Sequence, residues 1–521
     1  MSVLEADNLR LPLVSAPTHT PTTLVTAVFL ALLVLLVSAA FKHLQDDKIY
    51  PGLEIVGMRP GDTISQAKQR YTEHSRSILD EGIAKACYSH RLVHRKPFQV
   101  LTPTGPLIVL PAKHVDEIKS LRGLSFHETI AKSFFVRLPG MSLASGMAGF
   151  RFIVEHDEVF NEVVRLHLTR RLAVHLIARL SARAFLGKAA SRDETWLRLS
   201  TAYAHDSVSF VRALRRWPPA LRPLVQHLLP ERRRLRACEA QARNFIASLQ
   251  EKRRRGGDDG DDADVDDALR WQEEACGRRG EEATDAVGCQ LALALVAVHT
   301  TSMALARVVF DLCQNPQWIE PLREEARRVL AAEEEGGGGD GAVWDKSTLV
   351  RLRLMDSVLK ESQRLSPVHL TLMTRVATTD VVIPSLPHLP LPTGTMLAIS
   401  SSEPLRDPST FRDPHLFIGD RFLRLREEAV AAASAAAGKT DESDDNSNTA
   451  GYKWQYATTS AQHVGFGHGP HACPGRFLAA AELKVALALL LLKYDWRFGE
   501  GCEGGNVEVA QDIVPDPGAV E

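Results

Sequence analysis

The sequence predicts a mainly α-helical protein with a small β-rich part, carried behind one N-terminal transmembrane helix. Three observations lead there. Long stretches repeat their apolar residues at the three- and four-residue spacing of a helix face. Only two short regions, Phe98 to Pro111 and Thr371 to Ser402, read as strands separated by turn residues. Residues 24–41 (LVTAVFLALLVLLVSAAF) carry no charge and are about the minimum length that crosses a bilayer core.

Taken in order, residues 1–23 include Glu5 and Asp7 and lack the basic start of a signal peptide, so the apolar stretch reads as a retained anchor. Lys42, His43 and Lys48 follow it, and the positive-inside rule then puts the rest of the chain in the cytosol. The expected organisation is a luminal segment at 1–23, a transmembrane helix at 24–41, a hinge at 42–60 containing Tyr50-Pro51-Gly52, and one large domain at 61–521. Within it, Phe98 to Pro111 reads as two strands around a Thr-Gly-Pro turn. Asp157 to Gln250 has helical spacing, broken at Trp217-Pro218-Pro219 and Leu229-Pro230. Ala286 to Gln314 is a long helix. It is not a second membrane span, because His299, Thr300, Thr301 and Ser302 sit in its middle. Thr348 to Leu365 reads as one helix stopped by Pro367, and Thr371 to Ser402 as strands turning at Pro392 to Gly394. Gly475 to Tyr494 is a last, very apolar helix. Low-complexity stretches near 253–267, 333–341 and 427–452 read as solvated surface inserts.

A net charge of −2 over 521 residues excludes binding to nucleic acid through overall basicity, and 6% aromatics offer no base-stacking surface. The seven cysteines are scattered, without a CxxC pair or zinc-ligand spacing, as in a reducing compartment. The absence of any Asn-x-Ser/Thr acceptor agrees with a domain that faces the cytosol.

The sharpest local signal is Phe466-Gly-His-Gly-Pro-His-Ala-Cys473-Pro-Gly-Arg476, running straight into a helix. Cys473 stands just before that helix, where unpaired N–H groups and the helix dipole favour an anion. Gly467, Gly469 and Gly475 let the backbone bend sharply and let a flat ligand approach, while Pro474 suits a first helical turn. A stabilised thiolate on a rigid loop is a soft ligand suited to haem iron. A buried structural cysteine or a redox thiol are the plainer readings of a lone Cys.

The segment resembles the signature Phe-x-x-Gly-x-(Arg/His)-x-Cys-x-Gly of cytochrome P450 enzymes, with Phe466, Gly469, His471, Cys473 and Gly475 in its fixed places. The resemblance runs from the anchor to about Gly518, with the inserts uncovered, and is nearest to fungal, membrane-anchored members of secondary metabolism. It implies haem b (iron protoporphyrin IX) with Cys473 as axial ligand, Phe466 beside the sulfur, and His471 and Arg375 on the propionates. It implies that Glu361, Arg364 and Arg421 form a buried structural charge triad. It also implies that the Ala286–Gln314 helix crosses the other haem face. Thr300 there is the proton-handling hydroxyl, flanked by His299 and Thr301; His299 stands where the family usually has an acid. The early Trp-x-x-x-Arg pattern of the family is missing, as no Trp precedes Trp196.

The implied activity is insertion of one oxygen atom from O2 into an apolar small molecule, a terpenoid or polyketide-derived intermediate. Electrons would come from NADPH through NADPH-cytochrome P450 reductase, with cytochrome b5 as a second donor. The reductase is expected to dock near the cysteine loop, where His468, His471 and Arg476 offer positive charge. The expected location is the endoplasmic reticulum membrane, single-pass, facing the cytosol. Substrate walls are expected near Gly140 to Phe150, Trp217 to Pro230 and Ala297. Two rival readings keep the haem: an isomerase, dehydratase or peroxide-driven enzyme permitted by His299, and a non-enzymatic haem-binding membrane protein.

Overall fold

The structure, a computed structural model, describes residues 49–87, 96–135, 177–218, 221–255, 267–279, 285–335, 344, 346–436, 451–495, 497, 506–509 and 512–515, and part of 25–37. Within 25–37 the described residues are helical, with Phe29 69% and Leu30 61% exposed. The rest of the 24–41 stretch, like Gly140 to Phe150 and most of each expected insert, lies outside the described residues.

The helices are α1 (Ile64–Cys87), α2 (Phe126–Ser133), α3 (Ile177–Arg192), α4 (Glu194–Arg215), α5 (Pro230–Arg254), α6 (Ala268–Arg279), α7 (Ala286–Gln314), α8 (Ile319–Glu335), α9 (Arg353–Leu365), α10 (Arg421–Ala436) and α11 (Arg476–Lys493), with single turns between some of them. The strands are β1 (Ile55–Val56), β2 (Phe98–Thr102), β3 (Gly105–Leu110), β4 (Leu124–Ser125), β5 (Thr371–Ala377), β6 (Val381–Val382), β7 (Pro390–Leu391), β8 (Met396–Ser400), β9 (Asn506–Val509) and β10 (Asp512–Pro515). One six-stranded mixed sheet has the order β1-β2-β3-β8-β5-β4, with two small hairpins beside it. The expected mainly helical class with a minor sheet is what the chain adopts.

Local chemistry explains the boundaries. Asp193 starts α4 by accepting from Thr195 N at 2.7 Å, and Asp285 starts α7 by accepting from Gly288 N at 3.2 Å. Trp217-Pro218 ends the α4 region and Pro230 opens α5 at a first-turn position. The turn between β2 and β3 falls one residue earlier than expected, because Gly105 already pairs with Thr102. The helix expected over Thr348 to Leu365 is two pieces, Lys346–Arg351 and α9, parted at buried Leu352. The cause is tertiary: the Glu325 carboxylate of α8 accepts from Leu354 N (2.7 Å) and Met355 N (2.9 Å), founding a new helix start there. Ser357 does the same for α10, its Oγ accepting from Phe422 N and Leu423 N. Helix α10 continues through 427–436, into the stretch read as an insert.

The largest apolar cluster lies among the helices, and two more line the sheet. Helix α7 is its spine, packing on α3, α4, α9 and α11. It is long and apolar enough to cross a membrane, but Leu291, Ala292, Val308 and Leu312 are wholly enclosed by protein. That agrees with the reading of α7 as a core helix.

Candidate active site

The cysteine loop is built by short-range backbone bonds. Gly467 N donates to Val464 O (2.7 Å), Ala472 N to Gly469 O (3.0 Å) and Cys473 N to Phe466 O (2.8 Å). Gly467 and Gly469 stand at φ of +71° and +82°, where a Cβ costs about 1–2 kcal/mol. Gly475 caps α11 at an ordinary φ of −78°, and a Cβ there would meet Cys473 Sγ at 4.0 Å, an ordinary contact, so neither strain nor crowding within the chain demands glycine at this position. Gly465 is pressed on Gln363, whose Oε1 would lie 2.3 Å from a Cβ.

Cys473 is half-buried. Burial pushes its thiol pKa up, and the N–H groups of Gly475 and Arg476 and the Arg476 guanidinium pull it down. Burial wins. The expected anion-favouring donors are there, but the loop by itself does not hold a standing thiolate. Phe466 lies on the main helical core, and Tyr456 meets its ring edge-on at 5.2 Å.

Arg375 and His471 meet around a residue the sequence reading did not single out, Phe126. That ring opens α2, whose start is fixed by Ser125 Oγ accepting from Glu128 N at 3.1 Å. The His471 ring stacks on Phe126 at 5.9 Å, and the Arg375 guanidinium lies 5.4 Å from the same ring centre. Arg375 is aimed by a register shift in β5 between Leu372 and Arg375, with Met373 at φ +53°. It is only 2% exposed and donates to Thr374 O at 2.9 Å. Burial pulls its pKa down to about 10, and no carboxylate pairs with it among the described residues. A buried cation of this kind is complementary to an anionic group brought from outside.

Glu361, Arg364 and Arg421 come together as one fully buried cluster. Arg364 donates to both Glu361 oxygens, at 2.8 and 2.9 Å, and Arg421 Nε reaches them at 3.0 and 3.1 Å. The remaining guanidinium N–H groups hold backbone carbonyls of Leu405, Pro414, Leu416 and Asp413. The triad therefore pins the 405–421 segment to α9.

On α7, Thr301 is buried and Thr300 is half-buried, with Thr300 Oγ1 donating back to Val296 O at 2.6 Å. Ala297 is half-buried one turn away, and the His299 side chain lies outside the described residues. Trp217, Leu224 and Leu228 are 42%, 56% and 73% exposed, so these side chains stand in solvent and do not form an enclosed wall. His468 is not a free positive charge. Its Nε2 lies 3.4 Å from Asp116, and burial with the nearby Lys119 charge lowers its pKa. Lys119 is paired with the same Asp116, at 2.6 Å, and the Arg476 guanidinium adds positive charge near the sulfur.

The sequence reading also passed over Asp356 and Lys360. Both are buried charges on α9 and both hold the chain just before the cysteine loop. Their only signal is the density of charge on a short helix, Asp356, Lys360, Glu361 and Arg364, too common to read as burial.

The cytochrome P450 family model matches residues 201–510. The cytochrome P450 monooxygenase adrA of Penicillium rubens is 31% identical over 98% of this chain and 96% of its own. Cytochrome P450 monooxygenase 1 of Gibberella fujikuroi is 34% identical over 78% of this chain and 92% of its own. The cytochrome P450 monooxygenase hepE of Aspergillus oryzae is 34% identical over 84% and 79%. With a glycine-set cysteine at the start of α11 and these matches over most of the chain, the protein belongs to the cytochrome P450 family and is one of its monooxygenases.

Proposed function

We propose that Cys473 is the axial ligand of haem b and that the enzyme inserts one atom of O2 into an apolar small molecule of secondary metabolism. A terpenoid or polyketide-derived intermediate fits this reading, with electrons from NADPH through NADPH-cytochrome P450 reductase. The observation that carries it is Arg375: a buried guanidinium with no carboxylate partner among the described residues, on the same Phe126 ring as His471. The two propionates of haem would supply the missing negative charge. The cysteine fits equally. Its donors offset burial only in part, and a cation at the sulfur would complete the ionisation.

Bound haem supplies the iron at which O2 is activated, tuned by electron density from the thiolate. The chain's own residues do the rest. Gly475 and Arg476 direct N–H groups at the sulfur, and Phe466 shields it beside Tyr456. The Glu361–Arg364–Arg421 cluster fixes the 405–421 segment on α9. Thr300 can exchange its bond to Val296 O for a water or a substrate oxygen, which suits a hydroxyl that hands on protons.

Membrane attachment at the endoplasmic reticulum is supported by two exposed apolar features. One is the helical stretch at 25–37. The other is exposed Trp217, Leu224 and Leu228, which stand in the same stretch of sequence as exposed Arg216, Arg233 and Arg236.

The test is the ferrous carbon-monoxide spectrum of the purified full chain, followed by metabolite profiling of a host expressing it with and without a reductase. A red-shifted Soret band that disappears in Cys473→Ser, and a product heavier by one oxygen that requires the reductase, are expected. A Cys473→Ser variant with the band intact would overturn the ligand assignment. Product made without NADPH would overturn the monooxygenase route. In Thr300→Ala, oxygen and NADPH consumption should exceed product; unchanged coupling removes Thr300 from the proton path.

A further inference from the structure

Two buried charges on α9 grip the segment that leads into the cysteine loop. Asp356 and Lys360 are four residues apart and so share a helix face. Lys360 is fully buried, and its ammonium donates to Gln455 O at 2.8 Å and Thr458 O at 2.9 Å. Between those two carbonyls, Tyr456 N donates to Asp356 Oδ2 at 2.9 Å. Asp356 is held in turn by Lys484 of α11 at 2.7 Å and Arg426 of α10 at 3.7 Å. Burial pulls the Lys360 pKa down to about 7. Amine or ammonium, a buried Nζ is costly unless its hydrogen bonds are made, so this one is committed to the 455–458 backbone.

The grip passes to the sulfur through two contacts. The Tyr456 ring, 2% exposed, stands edge-on to Phe466 at 5.2 Å. Phe466 O accepts from Cys473 N at 2.8 Å. We infer that Asp356 and Lys360 are positioning residues for the thiol. By clamping residues 455–458 from one face of α9, they hold Tyr456 against Phe466 and set where Cys473 Sγ stands. This lies apart from the Glu361 triad, which ties down the 405–421 segment and touches neither Tyr456 nor Phe466. It rests on Cys473 as the haem ligand.

The experiment uses purified full-length wild type, Lys360→Met, Lys360→Gln and Tyr456→Leu. Each is read by far-ultraviolet circular dichroism, by the ferrous carbon-monoxide Soret band, and by the rate of haem transfer to apomyoglobin. Lys360→Met, which loses both hydrogen bonds, should keep its helix signal and take up haem, but lose part of the red-shifted band and release haem about tenfold faster. Lys360→Gln, whose amide can still donate to the carbonyls, should recover much of the band, which a packing defect would not. Tyr456→Leu keeps both Lys360 bonds and should reproduce the Lys360→Met spectrum. Should Lys360→Met fail to fold, Tyr456→Leu decides alone. Wild-type band and haem release in folded Tyr456→Leu, or in both folded Lys360→Met and Tyr456→Leu, overturn the clamp. A wild type with no red-shifted band overturns the ligand assignment first, and the clamp with it.

Discussion

At the scale of single residues, Arg375 and the loop glycines make opposite demands on stability. A buried guanidinium without a carboxylate is a liability until an anion arrives. Arg375→Leu should therefore leave the haem-free protein equally or more resistant to urea, while speeding haem release about tenfold. A variant weakened in both respects would mean that the charge is structural. Gly465 and Gly467 separate two causes that sequence patterns merge. At Gly467 the nearest atoms to a Cβ are 3.6 Å away, so Gly467→Ala should cost only the backbone strain of φ +71°, about 1–2 kcal/mol. Gly465→Ala collides with Gln363, and Gln363→Ala should rescue it in a double-mutant cycle of denaturant unfolding. No rescue would show that Gly465 is needed for conformation and not for room. The cysteine and its glycines were legible in the sequence because a tight loop needs special residues at fixed intervals. Phe126 was not, since nothing local marks an aromatic ring that two distant cations will share.

Among the elements, α9 concentrates the buried charge. Glu361 receives two arginines and the Ile418 N–H, at 3.0 Å, without exposure. Glu361→Gln leaves two guanidinium groups uncompensated and should cost about 3–5 kcal/mol, read from chemical unfolding of the haem-free protein. Less than 1 kcal/mol would contradict a buried triad. Helix α11 holds a different charge problem. Glu482 is fully buried, its hydrogen bond among the described residues coming from Ser181 Oγ at 2.8 Å, and burial pushes its pKa up to about 8. The folded protein keeps that proton while the unfolded chain, near 4.5, gives it up. Between those values the native state binds more protons, so this group makes stability fall as pH rises from about 4.5 to about 8. Glu482→Gln keeps the acceptor for Ser181 and removes the charge. It should raise the melting temperature relative to wild type at pH 8, with the gain shrinking toward pH 5. A gain independent of pH would refute the assignment. Helix α7 was legible to the residue, because a long apolar run interrupted only by His299 to Ser302 has few alternatives. The break at Leu352 was not, because the Glu325 side chain that causes it comes from another helix.

For the whole molecule, the two exposed apolar features lead to a test of membrane contact. A variant lacking residues 1–48 should still sediment in part with anionic phospholipid vesicles, through exposed Trp217, Leu224 and Leu228 and the exposed arginines of the same stretch. Leu224→Ser/Leu228→Ser in that background should abolish sedimentation. No sedimentation of the truncated parent would leave the N-terminal stretch as the sole tether.

The sequence by itself determined the helical class, the length of α7, the β2–β3 pair around its turn and the thiol loop at the start of α11. Each of these follows from periodicity, turn residues or glycine spacing, which act over a few residues. The strands flanking the Pro392 to Gly394 turn pair with other strands and not with each other. Only the tertiary structure decided that Arg375 is a buried cation beside His471, that Glu325 splits a helix, and that Lys360 and Asp356 hold the approach to Cys473. Burial and partnership of a charge depend on groups tens to hundreds of residues away. The same side chain costs nothing in water and several kcal/mol in the core, and the local sequence is silent on which it will meet.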